Sequence, residues 1–450
     1  MMPTKIVVIG MGYVGIPAAA LLADVEGHQV VGLQRRSKRS GWKIDVLNAG
    51  ESPFKGEEPG LDDLIARVVK QGRFHVTDDV DSLKDADIIL IDVQTPTDTQ
   101  HVPQYLSLKE VSHDIGKRIK KGTLVIVEST VAPGTTENVV QRIIEEESGF
   151  VGGEGFDLAF SYERVMPGKL IKNIVELPRV IGGITPRATE RAKQLYQKIV
   201  KGPIRTTTVL TAELSKTIEN AYRDVNIAFA NEMALVCESL GVDVYEVRGL
   251  VNELESRDMH IPGAGVGGHC LPKDPWLLRH GLYEYGEWKI EPEFISLARR
   301  INDHMPIHLA YLVENALAAR GVKVRDATVT ILGVAYLEDS DDTRNTPAAD
   351  LMLALQARGA KIRLHDPFVK EWELTTQEIE HDIVKASQGS NCLVLVTKHS
   401  EYAKLDLGKL KNIMNTPVLV DGRNVFDTEE VKKNGFEYRC IGKVGARHSH

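Results

Sequence analysis

The stretch Lys5-Ile6-Val7-Val8-Ile9-Gly10-Met11-Gly12-Tyr13-Val14-Gly15-Ile16 decides the fold. No residue from Ile6 to Ala23 is charged, as in a signal peptide or a short membrane span, but Gly10, Gly12, Gly15 and Pro17 interrupt the run. A buried strand over Lys5–Ile9, a tight turn and a helix over Ile16–Ala23 account for those breaks, and His28–Leu33 reads as the next strand. The glycines then have separate uses. Gly10 permits the turn, Gly12 lets backbone approach a pyrophosphate at the helix N-terminus, and Gly15 lets the helix pack close to the strand. A glycine turn of purely structural use is the plainer alternative. The position between strand and helix favours a dinucleotide site.

Outward from this turn, short apolar runs recur at Asp87–Val93, Thr123–Glu128 and Asp157–Phe160. The alternation of strand and helix implies a parallel sheet covered on both faces. Lys201-Gly202-Pro203 breaks the rhythm, so the first domain is expected over residues 1–203. Thr211–Leu240 holds no internal Gly or Pro and predicts a long helix, about 45 Å at 1.5 Å per residue, of the kind that joins domains or subunits. After Gly321 the rhythm resumes, with strands expected at Thr328–Gly333, Lys361–His365, Cys392–Thr397 and Val418–Asp421. The expected architecture is α/β: two doubly wound Rossmann-like domains, 1–203 and 321–450, joined by a long central helix in an all-helical middle domain, 204–320.

Length and charge agree with this. At about 150 residues per domain, 450 residues make two or three domains, and a composition 42% hydrophobic and 26% charged is that of a folded globular chain. A net charge of −8 repels a phosphate backbone, which argues against nucleic-acid binding, and no run beyond the glycine segment approaches membrane-spanning length. Cys237, Cys270, Cys392 and Cys440 stand far apart without a CxxC pair, so neither a disulfide framework nor a cysteine metal site is expected. A reducing, cytoplasmic setting fits.

The second strand ends in Gln34-Arg35-Arg36 where an acid for the ribose 2′-hydroxyl is usual. Gln34 can still bond a ribose. Arg35 and Arg36 either accept a 2′-phosphate, which keeps NADP open beside NAD, or form a solvated face. The densest signal is Pro262-Gly263-Ala264-Gly265-Val266-Gly267-Gly268-His269-Cys270-Leu271-Pro272-Lys273-Asp274-Pro275. Its glycines allow close backbone approach to a ligand, and it presents a cysteine with a carboxylate four residues on. A lone cysteine is usually a buried structural one; the loop around Cys270 favours a nucleophile. His269, pointing the other way from an extended loop, is given a structural role. On the long helix Glu213, Lys216, Asn220, Asp224 and Asn231 share one face, read as a site lining rather than a solvated stripe.

Taken together, these residues resemble the UDP-glucose/GDP-mannose dehydrogenase family over nearly the whole chain. The resemblance runs through Gly10–Gly15, Val127-Glu128-Ser129-Thr130-Val131-Ala132-Pro133-Gly134-Thr135, Ala212-Glu213-Leu214-Ser215-Lys216 with Asn220, the Cys270 loop, and Asp342-Thr343-Arg344-Asn345-Thr346-Pro347. It implies a four-electron oxidation of a sugar C6 alcohol to a carboxylate with two NAD and one water, through a thiohemiacetal and a thioester on Cys270. It further implies that Lys216 and Asn220 stabilise oxyanion charge, that Asp274 and Lys216 handle protons, and that Thr130 and Glu163 position the hydrolytic water. Cofactor contacts are implied for Gly10, Gly12, Tyr13, Val14, Gly15, Gln34, Arg35, Thr95 and Thr130. Substrate contacts are implied for Glu163, Arg164, Lys216, Asn220, Arg257, Gly265, Gly267 and Arg344.

Ser161-Tyr162-Glu163-Arg164-Val165-Met166-Pro167-Gly168 is similar to the Pro-Glu-Arg-x-x-x-Gly form of members acting on N-acetylhexosamine nucleotides, with Tyr162 in place of the proline. The substrate expected on that resemblance is UDP-N-acetylmannosamine, with the galacto and gluco epimers behind it and UDP-glucose as the alternative. Leu337, where a lysine is usual, and Gln94, where a proline or glycine is usual, depart from the pattern. A two-electron hydroxyacid-type dehydrogenase and a non-catalytic nucleotide-sugar-binding protein are the competing classes. The resemblance also implies a homodimer through the long helix or a higher homo-oligomer, in keeping with a helix apolar around most of its circumference, which needs partners on more than one side.

Overall fold

The computed structural model describes residues 3–38, 40–54 and 58–443. The chain forms two compact units, Met1–Glu219 with Trp276–Glu291, and Asn220–Pro275 with Pro292–His450.

The first unit is built on β1 (Thr4–Ile9), β2 (His28–Leu33), β3 (Phe74–Thr77), β4 (Ile88–Ile91), β5 (Leu124–Val127), β6 (Asp157–Phe160), β7 (Arg179–Gly183) and β8 (Ile204–Thr207), in the spatial order β3-β2-β1-β4-β5-β6-β7-β8. Every adjacent pair is parallel except β6 and β7. The reason for the uninterrupted apolar run in β1 is visible in its two faces. Ile6 and Val8 enter one hydrophobic core with Ile16 and Ala20, while Val7 and Ile9 enter a second with Ile89 and Val125. A sheet buried on both sides has no polar face to alternate with. The strand order reverses at β1 and β4, so the crevice for a ligand opens at the carboxyl ends of those two strands.

The second unit carries a fully parallel sheet of β9 (Thr328–Leu332), β10 (Lys361–His365), β11 (Ile379–Glu380), β12 (Cys392–Leu395), β13 (Val418–Asp421) and β14 (Glu437–Cys440), ordered β11-β10-β9-β12-β13-β14. Met305, Leu309, Val313 and Leu317 of a 27-residue helix, Glu293–Ala319, share one core with Val329, Ile331, Val394 and Val420 of this sheet. The molecule is thus α/β, with two Rossmann-like sheets and a helical middle region.

The expected helix Thr211–Leu240 runs from Val209 to Leu240. The second long helix was not foreseen; Pro306 stands inside it, a residue that normally ends such a pattern. β3, β7, β8, β11 and β14 also escaped notice, β8 because two of its four residues, Arg205 and Thr206, are exposed and leave no apolar signature. Among the described residues no helix is long and apolar enough to cross a membrane.

Candidate active site

The first glycine turn has the geometry its spacing calls for. Gly10 has φ +105°, and a Cβ on it would meet the Asp92 carbonyl at 2.4 Å; a Cβ on Gly15 would lie 2.0 Å from the Gly10 carbonyl. Both are therefore packed against protein. A Cβ on Gly12 meets nothing within 4 Å, so open space lies there, at the start of helix Gly15–Asp24, whose first turn holds no acidic residue and no side-chain cap. Open space beside a helix N-terminus without a side-chain cap fits the pyrophosphate of NAD. Tyr13 stacks on Phe54 at 4.5 Å.

Gln34 braces this turn. Its Oε1 accepts from Met11 N–H at 3.0 Å and its Nε2 donates to Ser40 Oγ at 3.0 Å. Lys43 Nζ donates to the Met11 carbonyl at 2.9 Å, and burial lowers the Lys43 pKa. Arg35 pairs with Glu110 at 2.5 Å, and Arg36 lies 3.2 Å from Asp78 and 3.6 Å from Asp45, all exposed. Both arginines are met by carboxylates.

Also in the first unit, the Thr95 hydroxyl donates to the Thr130 carbonyl at 2.6 Å and ties the segment after β4 to the segment after β5. Lys216 is buried; its Nζ donates to the Glu163 carbonyl at 3.0 Å and lies 5.2 Å from the centroid of the Tyr162 ring. Tyr162 is buried too, which pushes its phenol up to about 12, and its ring serves as a platform for the lysine. Arg164 is tied to Glu219 at 2.9 Å and to the Tyr162 hydroxyl at 2.8 Å. The Glu163 carboxylate is ion-paired with Arg179, the first residue of β7. Neither Tyr162 as a partner of Lys216 nor Arg179 was found from the sequence; Arg179 comes in on β7, whose antiparallel return beside β6 no local pattern announces.

In the second unit, the Cys270 loop is shaped by protein contacts. A Cβ on Gly267 would lie 2.5 Å from Tyr336 Cβ, and one on Gly268, at φ +91°, 2.7 Å from the Tyr336 ring. Tyr336 approaches both of these glycines. Gly265, at φ +129°, faces Pro306 and Pro347, each 3.1 Å from a Cβ placed there, and its carbonyl accepts from Arg423 at 3.2 Å. Gly268 N–H donates to the Arg344 carbonyl at 2.9 Å, which anchors the loop to the turn after β9.

At Cys270 the chain is closed into a turn rather than extended: its carbonyl accepts from Lys273 N–H at 3.0 Å and Asp274 N–H at 2.8 Å. Cys270 is exposed and His269 half-buried, so the two side chains do face different surroundings. Burial, with Lys273 and Arg344 nearby, brings His269 down to about 4, and it is neutral at pH 7. The Asp274 carboxylate is buried, accepts from Asn220 Nδ2 at 2.5 Å and pairs with Lys273 Nζ at 3.1 Å. Lys273 is a further site residue that sequence reading passed over, adjacent though it is to Asp274. The Arg344 side chain pairs with Asp342 at 2.5 Å. Arg257 is exposed, its Nη1 donating to Ser256 Oγ at 3.0 Å.

The polar face of the long helix is the inward one. Of its five residues only Lys216 and Asn220, one turn apart, join the groups just described; Asp224 and Asn231 are buried in bonds to Arg299, Asn302 and Gly263. Glu213 accepts from Gly134 N–H at 2.6 Å and Thr136 N–H at 2.8 Å, fixing the Thr130–Thr136 loop. Burial pushes Glu213 up to about 7 despite these bonds, so the folded state holds its proton more tightly than the unfolded chain does. The stability it contributes is complete below its unfolded pKa and is lost as pH rises through about 7, an effect of roughly 3 kcal/mol. Unfolding of the wild type and of Glu213→Gln at pH 5 and pH 8 should show the wild type losing more stability between the two.

Matches to known proteins run along the whole chain. Models of the UDP-glucose/GDP-mannose dehydrogenase family match residues 4–200 (NAD binding domain), 210–304 (central domain) and 330–428 (UDP binding domain). The chain is 37% identical over 441 residues to the UDP-N-acetyl-D-mannosamine dehydrogenase of Pyrococcus horikoshii, covering 98% of this chain and 99% of that one. It is 31% identical to the NDP-N-acetyl-D-galactosaminuronic acid dehydrogenase of Ralstonia nicotianae, over 94% and 96% of the two chains. The crystal structure of NDP-N-acetyl-D-galactosaminuronic acid dehydrogenase from Methanosarcina mazei Go1 matches with a TM-score of 0.89 at 41% identity, covering 100% of this chain and 97% of that one.

Proposed function

This chain belongs to the UDP-glucose/GDP-mannose dehydrogenase family as an NAD-dependent nucleotide-sugar dehydrogenase, an oxidoreductase, and from that premise we propose a four-electron C6 oxidation of a UDP-N-acetylhexosamine to its uronate. UDP-N-acetyl-D-mannosamine is the favoured substrate, supported by the Glu163-Arg164-x-x-x-Gly168 segment and by the named activity of the Pyrococcus horikoshii relative. The galacto epimer is the second reading, favoured by 41% identity to the Methanosarcina mazei protein. The product would feed polysaccharide or glycan synthesis.

NAD, when bound, would supply the hydride acceptor, two molecules being used for each uronate formed. The remaining chemistry falls to the chain. The Cys270 thiolate adds to the C6 aldehyde to form a thiohemiacetal; loss of hydride leaves a thioester; water then forms the new C–O bond as the C–S bond breaks and the electron pair returns to sulfur. Lys216 and Asn220 stabilise the oxyanion. Asp274 and Lys216 pass protons toward solvent, and Thr130 and Glu163 position the water. The observation that carries this reading is the exposed Cys270 thiol on a turn locked to Asp274, itself bonded to Asn220.

The same reading includes a homodimer, supported by apolar residues left exposed along the long helix: Leu214, Ile218, Tyr222, Phe229, Val236 and Leu240. An exposed catalytic thiol needs a reducing compartment, which supports a cytoplasmic setting. A panel of UDP-hexosamines and UDP-glucose, each with NAD and with NADP, tests the proposal. Two reduced nicotinamides per uronate, with an N-acetylhexosamine substrate and NAD preferred, is the expected result. One equivalent and a ketone product would overturn it.

A further inference from the structure

Behind Glu163 lies a buried charge network that the mechanism so far leaves unused. Arg179, 3% exposed, sends Nε to Ser161 Oγ at 2.8 Å, Nη1 to the Glu163 carboxylate and Nη2 to the Glu128 carboxylate. Its guanidinium lies 3.4 Å from the centroid of the Tyr196 ring, and Tyr196 OH donates to Glu128 Oε1 at 2.8 Å. A planar fork held on three sides has one orientation available to it. One guanidinium thus serves two carboxylates, both almost fully buried.

A third carboxyl closes the circuit. The oxygens of Asp92 are buried, and burial first, then the charge of Glu128, push its pKa well up. Two cations face this cluster: Arg179 meets the Glu128 and Glu163 carboxylates, and the Lys216 ammonium sits on the Glu163 carbonyl. The neighbouring Arg164 is already paired with Glu219 and bonded to Tyr162, leaving Arg179 as the cation on the Glu163 carboxylate.

We propose that Arg179 is the positioning residue for Glu163, fixing its carboxylate in place and in the ionised form so that it accepts a hydrogen bond from the water that attacks the Cys270 thioester. The inference rests on the role of Glu163 proposed above. Glu128 is the second load on Arg179, and the strength of the Arg179–Glu163 pair depends on how the guanidinium is shared.

Rapid mixing of the full-length enzyme with UDP-N-acetylmannosamine and NAD, read by nicotinamide absorbance and by intact-protein mass after acid quench, separates hydride transfer from thioester hydrolysis. Arg179→Gln should slow hydrolysis about 100-fold, accumulate a thioester on Cys270, leave the first hydride transfer within about threefold, and move the acid limb of the hydrolysis pH profile up by about one unit. Arg179→Lys should restore part of the rate. Glu128→Gln, which leaves the guanidinium to Glu163 alone, should move the acid limb the opposite way, and it keeps the test alive if Arg179→Gln does not fold. Equal slowing of both phases with an unmoved acid limb in the Arg179 and Glu128 variants would overturn the inference. Glu163→Gln separates the two failures. If it hydrolyses the thioester at the wild-type rate, the role of Glu163 itself falls; if it accumulates thioester while the Arg179 variants do not, the inference alone falls.

Discussion

Cys270→Ala should lower the rate of uronate formation by on the order of 10⁴-fold or more, because the proposed thioester path has no other nucleophile to use. The remaining cysteines are no substitute. Cys237, Cys392 and Cys440 are buried, and burial pushes all three thiols up, so none presents a thiolate at neutral pH. Substrate binding should change little, since Cys270 is exposed and its backbone carbonyl holds the turn to Lys273 and Asp274. Steady-state assays of product, with binding of the UDP-sugar measured by calorimetry, should show loss confined to turnover. Cys270→Ser should also fail, through an oxygen ester that hydrolyses more slowly than a thioester. A Cys270→Ala enzyme that still makes uronate with two reduced nicotinamides would remove the covalent mechanism.

What could be read without coordinates follows the physics of burial. β1, β4, β5, β9, β12 and β13 are covered on both faces, so their apolar runs are unbroken and their positions were legible to within a residue or two. The glycine turn was legible because Gly10 and Gly15 are demanded by backbone contacts with Asp92 and with each other. The Cys270 loop was legible as a loop, but the partner that requires Gly267 and Gly268 is Tyr336, 68 residues on from Gly268, and no spacing rule connects them. The same holds for Arg179, whose carboxylates come from the ends of β5 and β6. On the long helix the periodicity was right and its meaning only half so: the polar stripe turns inward to bury Glu213, Asp224 and Asn231, and the apolar residues Tyr222 and Phe229 stand outside.

Arg299→Met should cost about 3–5 kcal/mol of folding stability, the largest loss expected from a single change away from Cys270. Arg299 is 2% exposed and its Nη1 meets Asp224 at 2.6 Å, with Asp303 on Nη2. Burial already raises the Asp224 pKa, and Arg299 is the main opposing influence. Without the guanidinium, Asp224 is left as a buried acid that must take up a proton to remain inside. The damage should also spread along a ladder of bonds: Asp224 accepts from Asn302 at 2.8 Å, Asn302 accepts from Asn231 at 2.9 Å, and Asn231 accepts from Gly263 N–H at 2.9 Å, at the head of the Cys270 loop. Chemical denaturation should therefore show the stability loss together with reduced turnover at temperatures where the protein is still folded. The double variant Asp224→Leu with Arg299→Met should recover much of the stability, because an apolar pair leaves no buried charge. Its turnover should stay low, since the Asn302 amide then lacks the carboxylate that orients it toward Asn231. Loss of stability without that recovery in the double variant would mean that Arg299 matters for its packing and not for its charge.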